Sequence, residues 1–305
     1  MRRNLKIDID RIRISTPTGL YRVLRSVSSM NPSTIIVCDI AVDTSHMSEL
    51  IDLIRSLTSS KCSIYYIDHH PPPLGFPPID LDGFKYLYRL GVSASQLVYE
   101  ALGKPDDRIS RILMTYGAIG DMCDESQLVK DTLSLWDKRL IYLEAGFIVE
   151  GLISGRDRKF IRELIDKLAQ GNPPSSIPEL VSSCLKTLSE EYKVYKYIEE
   201  NVTVRGRIAI VSKLPVSGFG GKAANYALTC TKADVAIAIT VSGGIAYMSL
   251  RSSNPRIDLN DLTRRLSTAL GGHGGGHLQS AAARIPVSRI EEFLMFMEIA
   301  LSSMS

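Results

Sequence analysis

The chain has 305 residues, 45% of them hydrophobic and 23% charged, with a formal net charge of +3. That profile excludes a disordered or fibrous protein, gives no bulk electrostatic case for nucleic acid, and favours two domains over one. The 5 cysteines are scattered and odd in number with no C-x-x-C pair, and no apolar run approaches membrane-helix length. A disulfide framework and a transmembrane helix are therefore not expected, and a reduced, cytoplasmic setting is.

In chain order, residues 5–14 could hold a short strand, Pro17-Thr18-Gly19 marks a turn, and 20–27 reads as a helix. The continuous apolar run 34–38 has the character of a parallel strand and ends at Asp39. Asp43, Thr44 and Ser45 offer N-caps for a helix over 46–57, whose buried face is Met47, Leu50, Leu53, Ile54 and Leu57. A strand over 62–67 follows, and strand–helix–strand in so short a span predicts a right-handed βαβ unit and a parallel sheet. The prolines from 71 to 78 read as a stiff loop. Ser93 or Ser95 caps a helix to Leu102, Asp106 or Asp107 caps another over 109–119, and 125–170 reads as two or three helices broken at Gly171-Asn172-Pro173-Pro174. A helix over 177–188 completes a first domain, residues 1–188. Residues 189–203, dense in Lys, Glu and Tyr and without a clear apolar face, are taken as the inter-domain connection, with a helix as one form of it, and 204–305 as a second, mixed α/β domain. Its strands are expected over 205–211, 233–241 and 245–249, with a glycine hairpin at Ser242-Gly243-Gly244. Its helices are expected over 220–227 and 259–270, with a closing helix to about Met304.

Chemistry concentrates in few places. The run Ile64-Tyr65-Tyr66-Ile67-Asp68-His69-His70-Pro71 is an apolar strand that delivers Asp68, His69 and His70 to the carboxyl edge of a sheet, where open α/β folds hold ligands. Asp39 and Asp121 also stand at the ends of apolar elements. Such a carboxylate–imidazole set suits Mn²⁺, with Mg²⁺, Fe, Co²⁺ or Zn as alternatives, and a pair of such ions would serve phosphoryl transfer. Any of these acids alone could equally be a helix cap or a solvated loop residue. Four of the 5 histidines lie in two short segments, the second being Gly271-Gly272-His273-Gly274-Gly275-Gly276-His277. Read as a loop, that run lets backbone N–H groups converge on an anion, with the histidines adding donors. Arg251 and Ser252 end a strand nearby as a phosphate grip. His46 reads as a surface or packing residue. Lys213 and Lys222, around Gly218-Phe219-Gly220-Gly221, could touch a phosphate backbone.

Asp39, Asp68-His69-His70, Gly120-Asp121 and the Gly-Gly-His-Gly-Gly-Gly-His run together resemble the DHH phosphoesterase superfamily, closest to archaeal RecJ-like members and small-oligonucleotide phosphodiesterases. The C-terminal part resembles the DHH-associated domain. The resemblance implies that Asp39 bridges two Mn²⁺ ions, that His69 and Asp121 are further ligands, and that Asp68 supports the metal shell. It places His70 beside the scissile phosphate, with Arg251, Gly272, Gly274, Gly275, Gly276 and His277 on a terminal phosphate or nucleotide. It implies a cytoplasmic, metal-dependent phosphodiesterase or exonuclease acting on single-stranded nucleic-acid ends or short oligonucleotides, with a protein partner or homo-oligomer as further options. The alternatives are a catalytically impaired nucleic-acid-binding or scaffold relative, and a small-nucleotide or cyclic-dinucleotide phosphatase. The family pattern also has a first strand with an H-x-D-x-D-like motif before the Asp39 strand. The only counterpart here is Asp8-Ile9-Asp10, so the N-terminal domain is expected to lack that strand and its helix. A start misassigned downstream is the expectation, since omitting a central strand leaves unpaired backbone edges. A strand from a partner and genuine loss are the alternatives.

Overall fold

Three β-prone runs build the first sheet. In the computed structural model, which describes residues 11–77, 81–104, 106–155 and 157–304, they are β1 (Thr34–Cys38), β2 (Ser63–Asp68) and β3 (Phe84–Tyr88). They pair in parallel in the order β1-β2-β3, with Val37 opposite Tyr66 and Ile67 opposite Leu87. Between β1 and β2 the chain makes α2 (Met47–Ser59), entered through a 3-10 turn whose cap, the Asp43 side chain, accepts from the Ser45 N–H. Leu50, Ile54 and Leu57 of α2 join Leu20 and Leu24 of α1 (Leu20–Ser28) against Ile35, Val37, Ile64 and Tyr66. The other face packs Ile67 with Leu97 of α3 (Ala94–Leu102), beside Ile36, Cys38 and Leu87. Burial on both faces is why these strands read as unbroken apolar runs. Ile54 is fully enclosed, and truncating such a side chain to Ala costs about 2–5 kcal/mol.

Two points differ from the sequence reading. β3 lies where no element was assigned; Phe84-Lys85-Tyr86-Leu87-Tyr88 is aromatic and β-prone, but Lys85 interrupts it and its burial is partial. Residues 11–14 form no strand, and the remainder of the run expected over 5–14, with Asp8 and Asp10, lies outside the described residues.

The rest of the first unit, Met1–Thr187, is helical: α4 (Arg108–Gly120), α5 (Gln127–Ser134), α6 (Lys138–Ser154) and α7 (Arg158–Gln170). Asp107, Ser126, Asp137 and Asp157 cap their N-termini through side-chain oxygens. Gly171, at φ 94, closes α7 in the left-handed conformation that glycine adopts without a Cβ penalty. α8 (Pro178–Asn201) then runs unbroken for 24 residues, so the connection is helical, as one reading allowed, and continuous with the helix expected over 177–188. Its buried positions continue in helical register, Leu180, Cys184 and Thr187 in the first unit, Val194 and Ile198 in the second. Many charges on the other positions hide that stripe in the sequence.

The second unit, Leu188–Ser305, is built on a mixed sheet of order β4-β5-β6-β7-β9-β8. Its strands are β4 (Thr203–Arg205), β5 (Ile208–Ser212), β6 (Val235–Ser242), β7 (Ile245–Ser252), β8 (His273–His277) and β9 (Ser280–Pro286). Only β5 and β6 are parallel. Ile237, Ile239, Met248, Leu250, Ala283 and Ile285 form one core with α10 (Leu259–Ala269) and α11 (Ile290–Ser302). α9 (Gly220–Cys230) lies against β5, β6 and β7 through the buried alanines Ala223, Ala224 and Ala227. Gly243 and Gly244, both at positive φ, make the β6–β7 turn. Among the described residues, no helix is long and apolar enough to cross a membrane.

Candidate metal centre

The ends of β1 and β2 and of helix α4 bring three acids and two imidazoles together. Asp39 follows β1 with φ 57, a left-handed conformation that Asp tolerates better than most side chains. Its N–H still donates to the Ile67 carbonyl at 3.0 Å, so the ladder holds the strained residue in place. Asp121 is the C-cap of α4. A carboxylate there meets the negative end of the helix and gains nothing from the backbone. Burial, then the neighbouring Asp39 charge, lifts its carboxyl to about 6. Both features favour a cation nearby.

His69 is almost wholly buried. Its Nδ1 lies 2.8 Å from the Val92 carbonyl, an acceptor, so Nδ1 carries the proton and donates. Nε2 then faces Asp39 Oδ1 at 3.3 Å and Asp121 Oδ2 at 4.0 Å. Burial works against the charged ring, but the Asp39 hydrogen bond and the Asp121 charge outweigh it, and the His69 pKa is raised. Two carboxylates converging on one imidazole nitrogen need a proton or a metal ion between them. A carbonyl holding the far nitrogen is the support that ligating histidines ordinarily have. Asp39, His69 and Asp121 therefore fit a divalent cation, and their ligand atoms lie within 4.8 Å of one another.

Asp68, Asp39 and His70 form a second such group. Its internal bonds differ. Asp68, buried at the end of β2, accepts at Oδ1 from the His69 N–H at 2.8 Å, the His70 N–H at 3.3 Å and His70 Nδ1 at 2.8 Å. Asp68 thus orients the His70 ring through Nδ1. Of the two groups, Asp39–His69–Asp121 is the better metal site, with Asp39 common to both. Val92, whose carbonyl fixes His69, carries no signal in the sequence. A cavity of about 570 Å³ opens beside Asp39 and Asp121, walled by Val98, Leu113, Met114 and Ile148.

In the second unit the glycine-rich run is a strand, β8, and not the expected loop. His273 pairs with Arg284 and His277 with Ser280 of β9. Successive N–H groups of a strand point in opposite directions, so they do not converge on one anion. The glycines answer to packing. A Cβ on Gly272 would stand 2.1 Å from the Arg284 carbonyl oxygen, and one on Gly274 would stand 2.5 Å from Ser267 Oγ on α10. The Gly276 N–H donates to Asn260 Oδ1 at 3.0 Å. Gly275 and Gly276 sit at φ 149 and 152. Ser252 is buried, and its hydroxyl donates to the Asp234 carbonyl at 3.0 Å and accepts from the Asn254 N–H at 3.1 Å, so it serves the strand end. Arg251 projects from β7 with Nη1 donating to the Leu250 carbonyl at 2.9 Å, and a Cβ on Gly221 would lie 2.8 Å from Nη2. Burial lowers its pKa, and among the described residues no ion pair to a carboxylate is formed by it. Lys222 is paired with Glu191 at 2.7 Å. Lys213 is exposed at φ 56. His46 is half-buried beside Tyr21, ring centroids 5.7 Å apart.

The DHHA1 domain family matches residues 220–303. Solved structures match nearly the whole chain. A DHH-domain protein described as a member of a family of ribosomal proteins is 15% identical at a TM-score of 0.69, covering 95% of this chain and 76% of that one. An exonuclease RecJ bound to manganese is 18% identical at 0.55, covering 93% and 78%. An exopolyphosphatase-related protein from Bacteroides fragilis is 16% identical at 0.54, covering 92% and 75%. No curated protein matched the sequence. The fold is thus that of the DHH α/β proteins, a parallel-sheet unit followed by a mixed-sheet unit. Residues 220–303 thus match the DHHA1 domain family, and for the chain as a whole the likeness to these structures is one of fold.

Proposed function

We propose that the chain is a divalent-metal-dependent phosphodiesterase acting on short single-stranded nucleic acid or its ends. The observation that carries this reading is the convergence of Asp39 Oδ1 and Asp121 Oδ2 on His69 Nε2, with Nδ1 held by the Val92 carbonyl. Asp39, His69 and Asp121 would hold the cation, and Mn²⁺ is the first choice for their oxygen and nitrogen donors. Such an ion supplies Lewis acidity and charge compensation to a phosphoryl group.

The remaining roles fall to the chain itself. Asp68 holds His70 through Nδ1, which sets the tautomer and leaves Nε2 to exchange a proton with the ester or the attacking water. His70 is half-buried, open to substrate on one side. Arg251 supplies a guanidinium for a phosphate, together with His273 and His277 on β8. Gly272, Gly274, Gly275 and Gly276 act by letting that strand lie close to its neighbours. Ser252 supports the end of β7. The RecJ likeness supports the nuclease reading only as an analogy of fold.

A second reading, a phosphatase for a small nucleotide, is favoured by the cavity beside Asp39 and Asp121. The test is hydrolysis of a labelled eight-nucleotide single strand against a mononucleotide aryl ester, with and without MnCl₂. Metal-dependent cleavage that prefers the oligonucleotide and is lost in His69→Ala supports the first reading. Preference for the mononucleotide supports the second, and binding without hydrolysis sinks both.

A further inference from the structure

Helix α9 covers one face of the second unit's sheet over β5, β6 and part of β7. Further across, register sets three rows side by side on that face. The first is Tyr247, Arg284 and His273; the next is Ser249, Ala282 and Gly275; the last is Arg251, Ser280 and His277. Tyr247 is 40% exposed, and Ala282, Arg284 and His273 are exposed with it. The middle row offers no side chain larger than serine, so it forms a low floor between two taller ends. None of the nine residues is acidic, while two are arginines and two are histidines. The Arg284 guanidinium carbon stands 5.2 Å from the Tyr247 ring centroid, which pairs a cation with an aromatic plane.

We propose that this face is a track for single-stranded nucleic acid, in which the Tyr247–Arg284 pair stacks a base beyond the phosphate gripped at Arg251. The proposal rests on the phosphodiesterase reading for where the reacting end lies. The charge pattern fits a polyanion, and the floor lacks the large apolar side chains that a protein or membrane contact would use. An aromatic ring and a planar guanidinium are the surfaces on which unpaired bases stack without regard to sequence. From the Arg251 row to the Tyr247 row is four residues, about 13 Å at the rise of a strand. That span exceeds the reach of one nucleotide, so the pair meets a base further along the strand than a two-nucleotide ligand held at Arg251 extends.

The full chain is titrated, without added metal, against dye-labelled oligothymidylate of two and of eight nucleotides, read by fluorescence anisotropy. Wild type is expected to bind the eight-mer more tightly than the two-mer. Tyr247→Ala and Arg284→Gln should each weaken the eight-mer by roughly 5- to 100-fold, the range for loss of one stacked base. Tyr247→Phe keeps the ring and should bind close to wild type, which separates stacking from a folding defect. Tyr192→Ala, an exposed tyrosine on α8, serves as the control for loss of an aromatic elsewhere. No oligonucleotide binding by wild type, equal binding by Tyr247→Ala, or Tyr247→Phe as weak as Tyr247→Ala overturns the proposal. Mn²⁺-dependent hydrolysis of bis-p-nitrophenyl phosphate is measured alongside. Absent hydrolysis with ring-dependent binding defeats only the catalytic reading, and hydrolysis with ring-independent binding defeats only this one.

Discussion

At the residue scale the centre is a set of groups held against their own preferences. Asp39 is held at positive φ, Asp121 sits at the wrong end of a helix, and His69 is buried between acids. Asp121 offers a direct check. Its carboxyl titrates near 6 in the ion-free fold, so between the ordinary carboxylate range and that value the folded chain binds a proton that the unfolded chain has lost. Ion-free stability from this group falls as pH rises through that window and stays lower above it. Asp121→Asn should therefore raise ion-free stability by about 1 kcal/mol at pH 7.5, discounted for partial exposure, and should do nothing below pH 4. Urea unfolding at the two pH values measures it, and a destabilised variant at pH 7.5 contradicts it. Asp68→Asn should cost about 10- to 100-fold in turnover, because it weakens the acceptor that orients His70. Steady-state kinetics would show the loss in kcat, and an unchanged kcat would remove Asp68 from the account.

Elements explain both what the sequence disclosed and what it hid. β1, β2 and the helix ends were legible because an apolar run stopping at Asp39, or at Asp68-His69-His70, leaves few other structures. The convergence of Asp121 with them was expected from resemblance, and no periodicity reports such a long-range meeting. β8 was misread because a glycine-rich run has neither apolar alternation nor β-branched residues, and its pairing is dictated by β9 and α10. Gly272 tests that explanation: with a Cβ held 2.1 Å from the Arg284 oxygen, Gly272→Ala should destabilise the second unit by about 2–3 kcal/mol with or without ligand. A variant of normal stability that only loses ligand would restore the anion-cradle reading. The continuity of α8 was hidden by its charges. Trypsin should therefore cut at Lys193 and Lys196 no faster than the chain unfolds, whereas rapid cleavage there would show a loose connection.

At the scale of the molecule, two units each carry one half of the proposed chemistry. The first holds the acids and imidazoles of the metal centre, and the second holds Arg251 and the open sheet face. A net charge of +3 over 305 residues does not by itself draw in a polyanion, so the proposed nucleic-acid contact would have to come from local features such as the face of β8, β9 and the part of β7 beyond α9. β1 has one strand neighbour among the described residues, β2. The metal centre is therefore judged on Asp39, Asp68, His69, His70 and Asp121 alone. The measurement that tests it most directly is Mn²⁺ binding to the full chain by titration calorimetry at pH 7.5, for wild type, Asp39→Asn and His69→Ala. Wild type should bind at least one ion per chain, and each substitution should weaken that binding at least about 10-fold. A wild-type chain that takes up no Mn²⁺, or a His69→Ala chain that binds it equally well, would contradict the assignment of Asp39, His69 and Asp121 as a metal site.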